Sequence, residues 1–118
     1  MADLALLVVS GPFARRAARA ELDVALAAAA LDYRLELYFS GEGLLQLARE
    51  RDAVPALLPP GARGWAALPE LGEVRAFARE DELARCEQLG IALILPVEPL
   101  PAALFRDRWR RAAQALVL

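Results

Sequence analysis

Leu4-Ala5-Leu6-Leu7-Val8-Val9, closed by Ser10-Gly11-Pro12, is a short unbroken apolar run that ends in turn formers. A run without polar alternation is how a strand buried on both faces reads, and strands of that kind belong to parallel sheets covered by helices. The next segments fit that reading. Residues 14–31 are Ala-rich and free of Gly and Pro, with Leu22, Leu26 and Ala29 at helical spacing and Arg15, Arg16, Arg19 and Asp23 elsewhere, which predicts a helix. Residues 35–39, Leu-Glu-Leu-Tyr-Phe, alternate and are aromatic, so they form strand two, stopped at Ser40-Gly41. A short second helix is expected over residues 44–49.

Residues 50–64 carry Pro55, Pro59, Pro60, Gly61 and Gly64 and read as a loop. Residues 65–71 suit a helical turn that crosses to strand three at 73–78. Residues 79–89 predict a helix whose first turn holds Glu80, Asp81 and Glu82, favourable at the positive end of the helix dipole, with Gly90 as its stop. The apolar run 91–97 reads as strand four, ended by Pro96, Pro99 and Pro101. Residues 102–112 form the last helix, with Phe105, Trp109 and Ala112 on one stripe, and 115–118 suit a terminal strand. Strands alternate with helices, so the expected fold is a single α/β domain over residues 1–118: a three-layer α/β/α sandwich around a mostly parallel five-stranded sheet. Ligands of such folds collect at the carboxyl ends of strands, here 10–13, 40–43, 78–80 and Glu98.

A length of 118 residues suits one core, and the 58% of hydrophobic residues excludes intrinsic disorder. The richest apolar run, 24–31, is mostly alanine and stops at Asp32, well short of the ~20 residues that span a bilayer, so no membrane segment is expected. A small chain this apolar is expected to bury part of its surface against other subunits. The net charge of −2 offers no basic field to attract nucleic acid. Asp3 near the start and the lack of a basic leader argue against a signal peptide and for the cytoplasm. Histidine is absent, which removes the commonest general base and the commonest metal ligand. A single cysteine, Cys86, excludes an internal disulfide and a cysteine zinc cage.

No phosphate-loop motif occurs, and Gly41-Glu42-Gly43 is only a fragment of a dinucleotide fingerprint, with an acid where phosphate would approach. A phosphoacceptor site would need acids after strand one, where Ser-Gly-Pro stands instead. Arg106, Arg108, Arg110 and Arg111 lie off the Phe105/Trp109 stripe and read as a solvated helix face. Cys86 sits mid-helix between Leu83 and Leu89, away from the helix N-terminus that would lower a thiol pKa, so it reads as a buried, inert cysteine. No catalytic residue, cofactor or metal ligand is expected on these grounds.

Three blocks together resemble the DsrE/DsrF-like sulfur-relay family, most closely its TusC/DsrF branch: the strand ending Ser10-Gly11-Pro12-Phe13, the helix with Glu21-Leu22-Asp23-Val24-Ala25-Leu26-Ala27, and Phe39-Ser40-Gly41-Glu42-Gly43-Leu44-Leu45-Gln46-Leu47. Val97-Glu98-Pro99-Leu100 followed by a helix and a terminal strand also fits. The resemblance implies a role in passing persulfide sulfur. TusB-, TusC- and TusD-like chains form a heterohexamer that hands sulfur towards 2-thiolation of the tRNA wobble uridine, and the DsrEFH counterpart serves dissimilatory sulfur oxidation. In the TusD/DsrE-like partner the sulfur-carrying cysteine follows the third strand. The matching positions here, about 76–80, hold no cysteine, and Cys86 lies too far along the helix. The implied role is a non-catalytic structural subunit whose partners are TusD/DsrE-like and TusB/DsrH-like chains, with no direct contact to nucleic acid. Phe39, Leu44, Leu45 and Leu47 are the expected interface residues, the short helix being more leucine-rich than one sheet needs. The alternatives are a stand-alone DsrE-like homo-oligomer that carries sulfur on Cys86, or a DsrF-like subunit in dissimilatory sulfur oxidation.

Overall fold

The computed structural model describes residues 3–11, 14–48, 61–111 and 115–117. The element order is β1 (Leu4–Val8), α1 (Arg15–Ala30), β2 (Leu35–Phe39), a 3-10 helix (Gly41–Leu47), α2 (Gly61–Leu71), β3 (Val74–Arg79), α3 (Glu80–Gln88), β4 (Glu98–Leu100), α4 (Ala102–Arg110) and β5 (Ala115–Val117). The strands form one sheet in the order β4-β3-β2-β1-β5, with every pairing parallel. Residues 12–13, 49–60, 112–114 and 118 lie outside the described residues, and with them most of the expected loop, Phe13 and the Ala112 end of the last stripe.

Alternation along each strand sorts side chains to the two faces. Leu4, Leu6 and Val8 of β1, Leu35, Leu37 and Phe39 of β2, and Ala76 and Ala78 of β3 share one core with Leu22, Ala25 and Ala29 of α1, Trp65 and Leu68 of α2, and Cys86 of α3. The opposite face carries a smaller cluster of Ala5, Tyr38 and Phe77 under Phe105 of α4, with Leu7 and Trp109 packed against it. Among the described residues, helices therefore cover both faces, but unequally: α1, α2 and α3 on one side and α4 on the other. Crossover handedness explains the imbalance. Three successive steps in one direction keep α1, α2 and α3 on one face, and the return from β4 to the far edge must pass over the other.

Strand four departs from the expectation. Residues 91–97 are irregular: the Ile94 N–H donates to the Leu47 carbonyl (2.9 Å) and Leu93 makes one isolated antiparallel bridge to Ala48. Leu95 is buried in the main core and Ile91, Leu93, Ile94 and Val97 pack against it partly buried, so the run contributes to the core without being a strand. The strand itself is Glu98–Leu100, paired with Phe77–Arg79 and carrying Pro99. Proline is tolerated there because β4 is an edge. Glu98 accordingly opens a strand rather than ending one.

The short helix also differs, being a 3-10 turn that starts three residues early, at Gly41. It lies so close to β1 that a Cβ on Gly43 would stand 2.0 Å from the Val8 carbonyl oxygen. Gly90, at φ +71°, supplies the left-handed residue that stops α3.

Candidate functional site

β2 and β3 end side by side, with Phe39 opposite Ala78. Beyond β2 the chain turns at Ser40 into the 3-10 helix, and Arg79, the extended last residue of β3, leads directly into α3. The two exits are tied together where the Gly41 N–H donates to the Glu82 carboxylate. Between them opens a cleft of about 470 Å³. Leu44, Leu45, Cys86, Leu89 and Ile91 form the apolar part of its lining, and Glu42, Arg79, Asp81, Glu82 and Arg85 form the charged part. Two of the four expected strand ends, 40–43 and 78–80, thus contribute to one site.

Arg79 stands where β3 meets α3. Its Nη2 and Nε donate to Asp81 at 2.7 and 3.1 Å, and Nε lies 3.8 Å from Glu82. The hydrogen bond from Arg79 lowers the Asp81 carboxyl from its ordinary value. The acids of the first turn therefore hold specific partners as well as complementing the helix dipole. Cys86 lies in the second half of α3 and is 8% exposed. Burial, and then the negative charge of Glu82, push its thiol above the ordinary value. A thiol held protonated is a poor nucleophile. No group of histidines, cysteines and acids suited to a metal occurs among the described residues.

A second polar constellation went unread in the sequence. Glu21 of α1 is fully buried. Its Oε2 accepts the Val9 N–H at 3.0 Å and its Oε1 accepts Gln46 Nε2 at 3.0 Å. The same Gln46 nitrogen donates to the Ser10 carbonyl (2.6 Å), and Trp65 Nε1 donates to Gln46 Oε1 (3.0 Å). An indole nitrogen only donates, which fixes the orientation of the amide: oxygen towards Trp65, nitrogen towards Ser10 and Glu21. The carboxyl end of β1 is thereby filled by a network joining β1, α1, the 3-10 helix and α2. Glu21 and Gln46 belong to separate blocks of the resemblance. Glu21 lies on the helical stripe of Ala18, Leu22, Ala25 and Ala28, all buried, and an acid on a small-residue stripe is the signal that could have disclosed it.

Of the four residues expected at an interface, Phe39 and Leu47 are fully buried and Leu44 is 2% exposed, all within the core of the single chain. Leu44 and Leu47 share that core with Leu95 and with the partly buried Ile91, Leu93, Ile94 and Val97, which gives the leucines of the 3-10 helix partners within the chain. Leu45 alone is only half-buried, and it lines the cleft.

On the opposite face, Arg108 departs from the solvated helix face expected of its neighbours. Its guanidinium lies 4.6 Å from the Phe77 ring centroid, and Nη2 reaches Glu36 at 2.9 Å. Glu36 also accepts the Tyr38 hydroxyl (2.7 Å); burial foremost, and this bond next, raise the Tyr38 pKa strongly. Arg106, Arg110 and Arg111 are exposed. No described helix is long and apolar enough to cross a membrane.

Comparison with known proteins accords with this architecture. The crystal structure of the ychN protein from E. coli superposes with a TM-score of 0.76 at 15% identity, covering 100% of both chains, a likeness of fold. A search of curated proteins gives no match. The model of the DsrE/DsrF-like family matches residues 2–78, which takes in β1 through nearly all of β3 and the 3-10 helix that forms one wall of the cleft. With well over half of its length matched in this way, the chain belongs to the DsrE/DsrF-like family.

Proposed function

We propose that this chain is a non-catalytic structural subunit of a cytoplasmic sulfur-relay complex of the TusBCD/DsrEFH kind, in the position of TusC/DsrF. Its partners are TusD/DsrE-like and TusB/DsrH-like chains in a heterohexamer, and the complex supports persulfide transfer towards 2-thiolation of the tRNA wobble uridine. One observation carries the reading. The junction of β3 and α3, where the sulfur-carrying relative places its cysteine, is occupied by Arg79 locked onto Asp81. The chain keeps the fold and a cleft at that junction but presents a guanidinium there instead of a thiol. Family membership supports the relay role, and the high apolar content supports burial against partners.

Co-expression with the TusD-like and TusB-like chains tests this. Size-exclusion chromatography with light scattering should show a stable assembly containing all three, and a chain that stays unbound at micromolar concentration overturns it. A second reading, a homo-oligomeric carrier on Cys86, has one observation in its favour: the cysteine lines the cleft. Its burial and raised thiol pKa weigh against it. A third reading makes the chain the DsrF-like subunit of a complex that serves dissimilatory sulfur oxidation, and it rests on the same family membership.

A further inference from the structure

The charges around the cleft do not all cancel one another. Arg79 is held by Asp81 and lies near Glu82, and Glu82 also receives the Gly41 N–H. Two charges are left over. Glu42, on the 3-10 helix, and Arg85, on α3, are exposed, and their side chains make no hydrogen bond or ion pair among the described residues. They are of opposite sign and stand on opposite walls. Between them the surface is apolar, with Leu45 half-buried and Leu89 68% exposed.

This arrangement distinguishes between occupants. A site for a small polar ligand places converging polar groups inside an apolar pocket. Here the Gly41 N–H is already bonded, the polar groups of the lining at Arg79, Asp81 and Glu82 are engaged with one another, the rest of it is leucine, isoleucine and the Cys86 thiol, and the two unpaired charges are exposed to solvent. An apolar centre ringed by charge is the anatomy of a protein–protein contact, where an exposed large side chain serves as the anchor and rim charges set orientation.

We infer that the cleft between the 3-10 helix and α3 receives an apolar side chain from a partner polypeptide, flanked by an anionic residue that meets Arg85 and a cationic residue that meets Glu42. The inference rests on the reading of this chain as a subunit of a relay complex, and it places the contact at the same junction that carries Arg79 in place of a cysteine.

The test is calorimetric titration of the co-purified TusD-like and TusB-like chains into this chain and its variants. Leu89→Asp and Arg85→Glu alter exposed side chains, so the fold should survive, as circular dichroism will show. Each should weaken binding by about tenfold or more, the loss expected of an anchor or a complementary rim charge. Leu104→Asp is the control, since Leu104 is 50% exposed on α4, on the other face of the sheet, and should bind within about twofold of the unaltered chain. Cleft variants that bind as tightly as the unaltered chain overturn the inference and leave the subunit reading intact. An unaltered chain that binds neither partner overturns both.

Discussion

Replacing Gln46 by Met removes a buried polar hub while keeping its volume. The amide is 3% exposed and sits between the Glu21 carboxylate, the Ser10 carbonyl and the Trp65 indole N–H, at 3.0, 2.6 and 3.0 Å. Methionine leaves Glu21 with the Val9 N–H as its remaining donor and the fully buried Trp65 N–H with none. Stranding a buried donor costs about 1–3 kcal/mol, and removing one partner of a buried charge costs ~3–5 kcal/mol when nothing else compensates. Since Glu21 keeps one of its two donors, the smaller part of the second figure applies, and the expected loss is roughly 3–5 kcal/mol in all. Against a domain stability of about 5–15 kcal/mol this is a large fraction. The assay is urea unfolding followed by tryptophan fluorescence. With a slope of about 1.5 kcal/mol per molar, the midpoint should fall by roughly 2–3 M, with the slope itself unchanged. Glu21→Gln should also destabilise, because its new NH2 meets either the Val9 N–H or the Gln46 NH2, and turning Gln46 over only moves the conflict to Trp65. A loss below about 1 kcal/mol in Gln46→Met would refute the hub, since it would match a single solvated hydrogen bond.

Other outcomes follow from the same structure. Cys86 should resist thiol-modifying reagents in the native chain and react fully once it is unfolded, and rapid native labelling at neutral pH would favour the carrier reading. Because burial and Glu82 raise the Cys86 pKa in the folded state, the unfolded chain loses this proton first. Stability should then decline as pH climbs past the ordinary thiol value of 9.0, and Cys86→Ser should remove that part of the decline in thermal melts. Gly43→Ala sets a Cβ against the Val8 carbonyl and should cost at least the ~1–3 kcal/mol of an overpacked core, measured by chemical denaturation; an unchanged midpoint would mean the 3-10 helix is not pressed onto β1. Arg75→Ala breaks a half-exposed pair with Glu98 (2.8 Å) and should change stability by no more than about 1 kcal/mol, less at high salt.

Much of the architecture was readable from pattern. Leu35–Phe39 is a strand at the limits its alternation gives, and Gly90 ends α3 for the conformational reason that makes glycine a stop. The failures have physical causes. Residues 91–97 and β1 look alike as apolar runs, but one pairs in a sheet while the other caps a core. Periodicity cannot separate those outcomes, and an edge strand as short as Glu98–Leu100 with a central proline carries almost no propensity signal. The leucines of the 3-10 helix look surplus until they are placed in one core with Leu95 and its neighbours far along the chain. Glu21 and Gln46 are polar residues whose burial is decided by each other and by Trp65, contacts that no local window contains. The cleft was half legible: both strand ends were expected, but the guanidinium–carboxylate lock at Arg79 and the leftover pair Glu42 and Arg85 appear only in three dimensions.

The most direct measurement is the rate of persulfide transfer through the reconstituted complex when its only change is Cys86→Ser in this chain. A structural subunit predicts the unaltered rate, with transfer lost when the chain is omitted. A serine variant as slow as the complex lacking the chain would show that sulfur passes through Cys86.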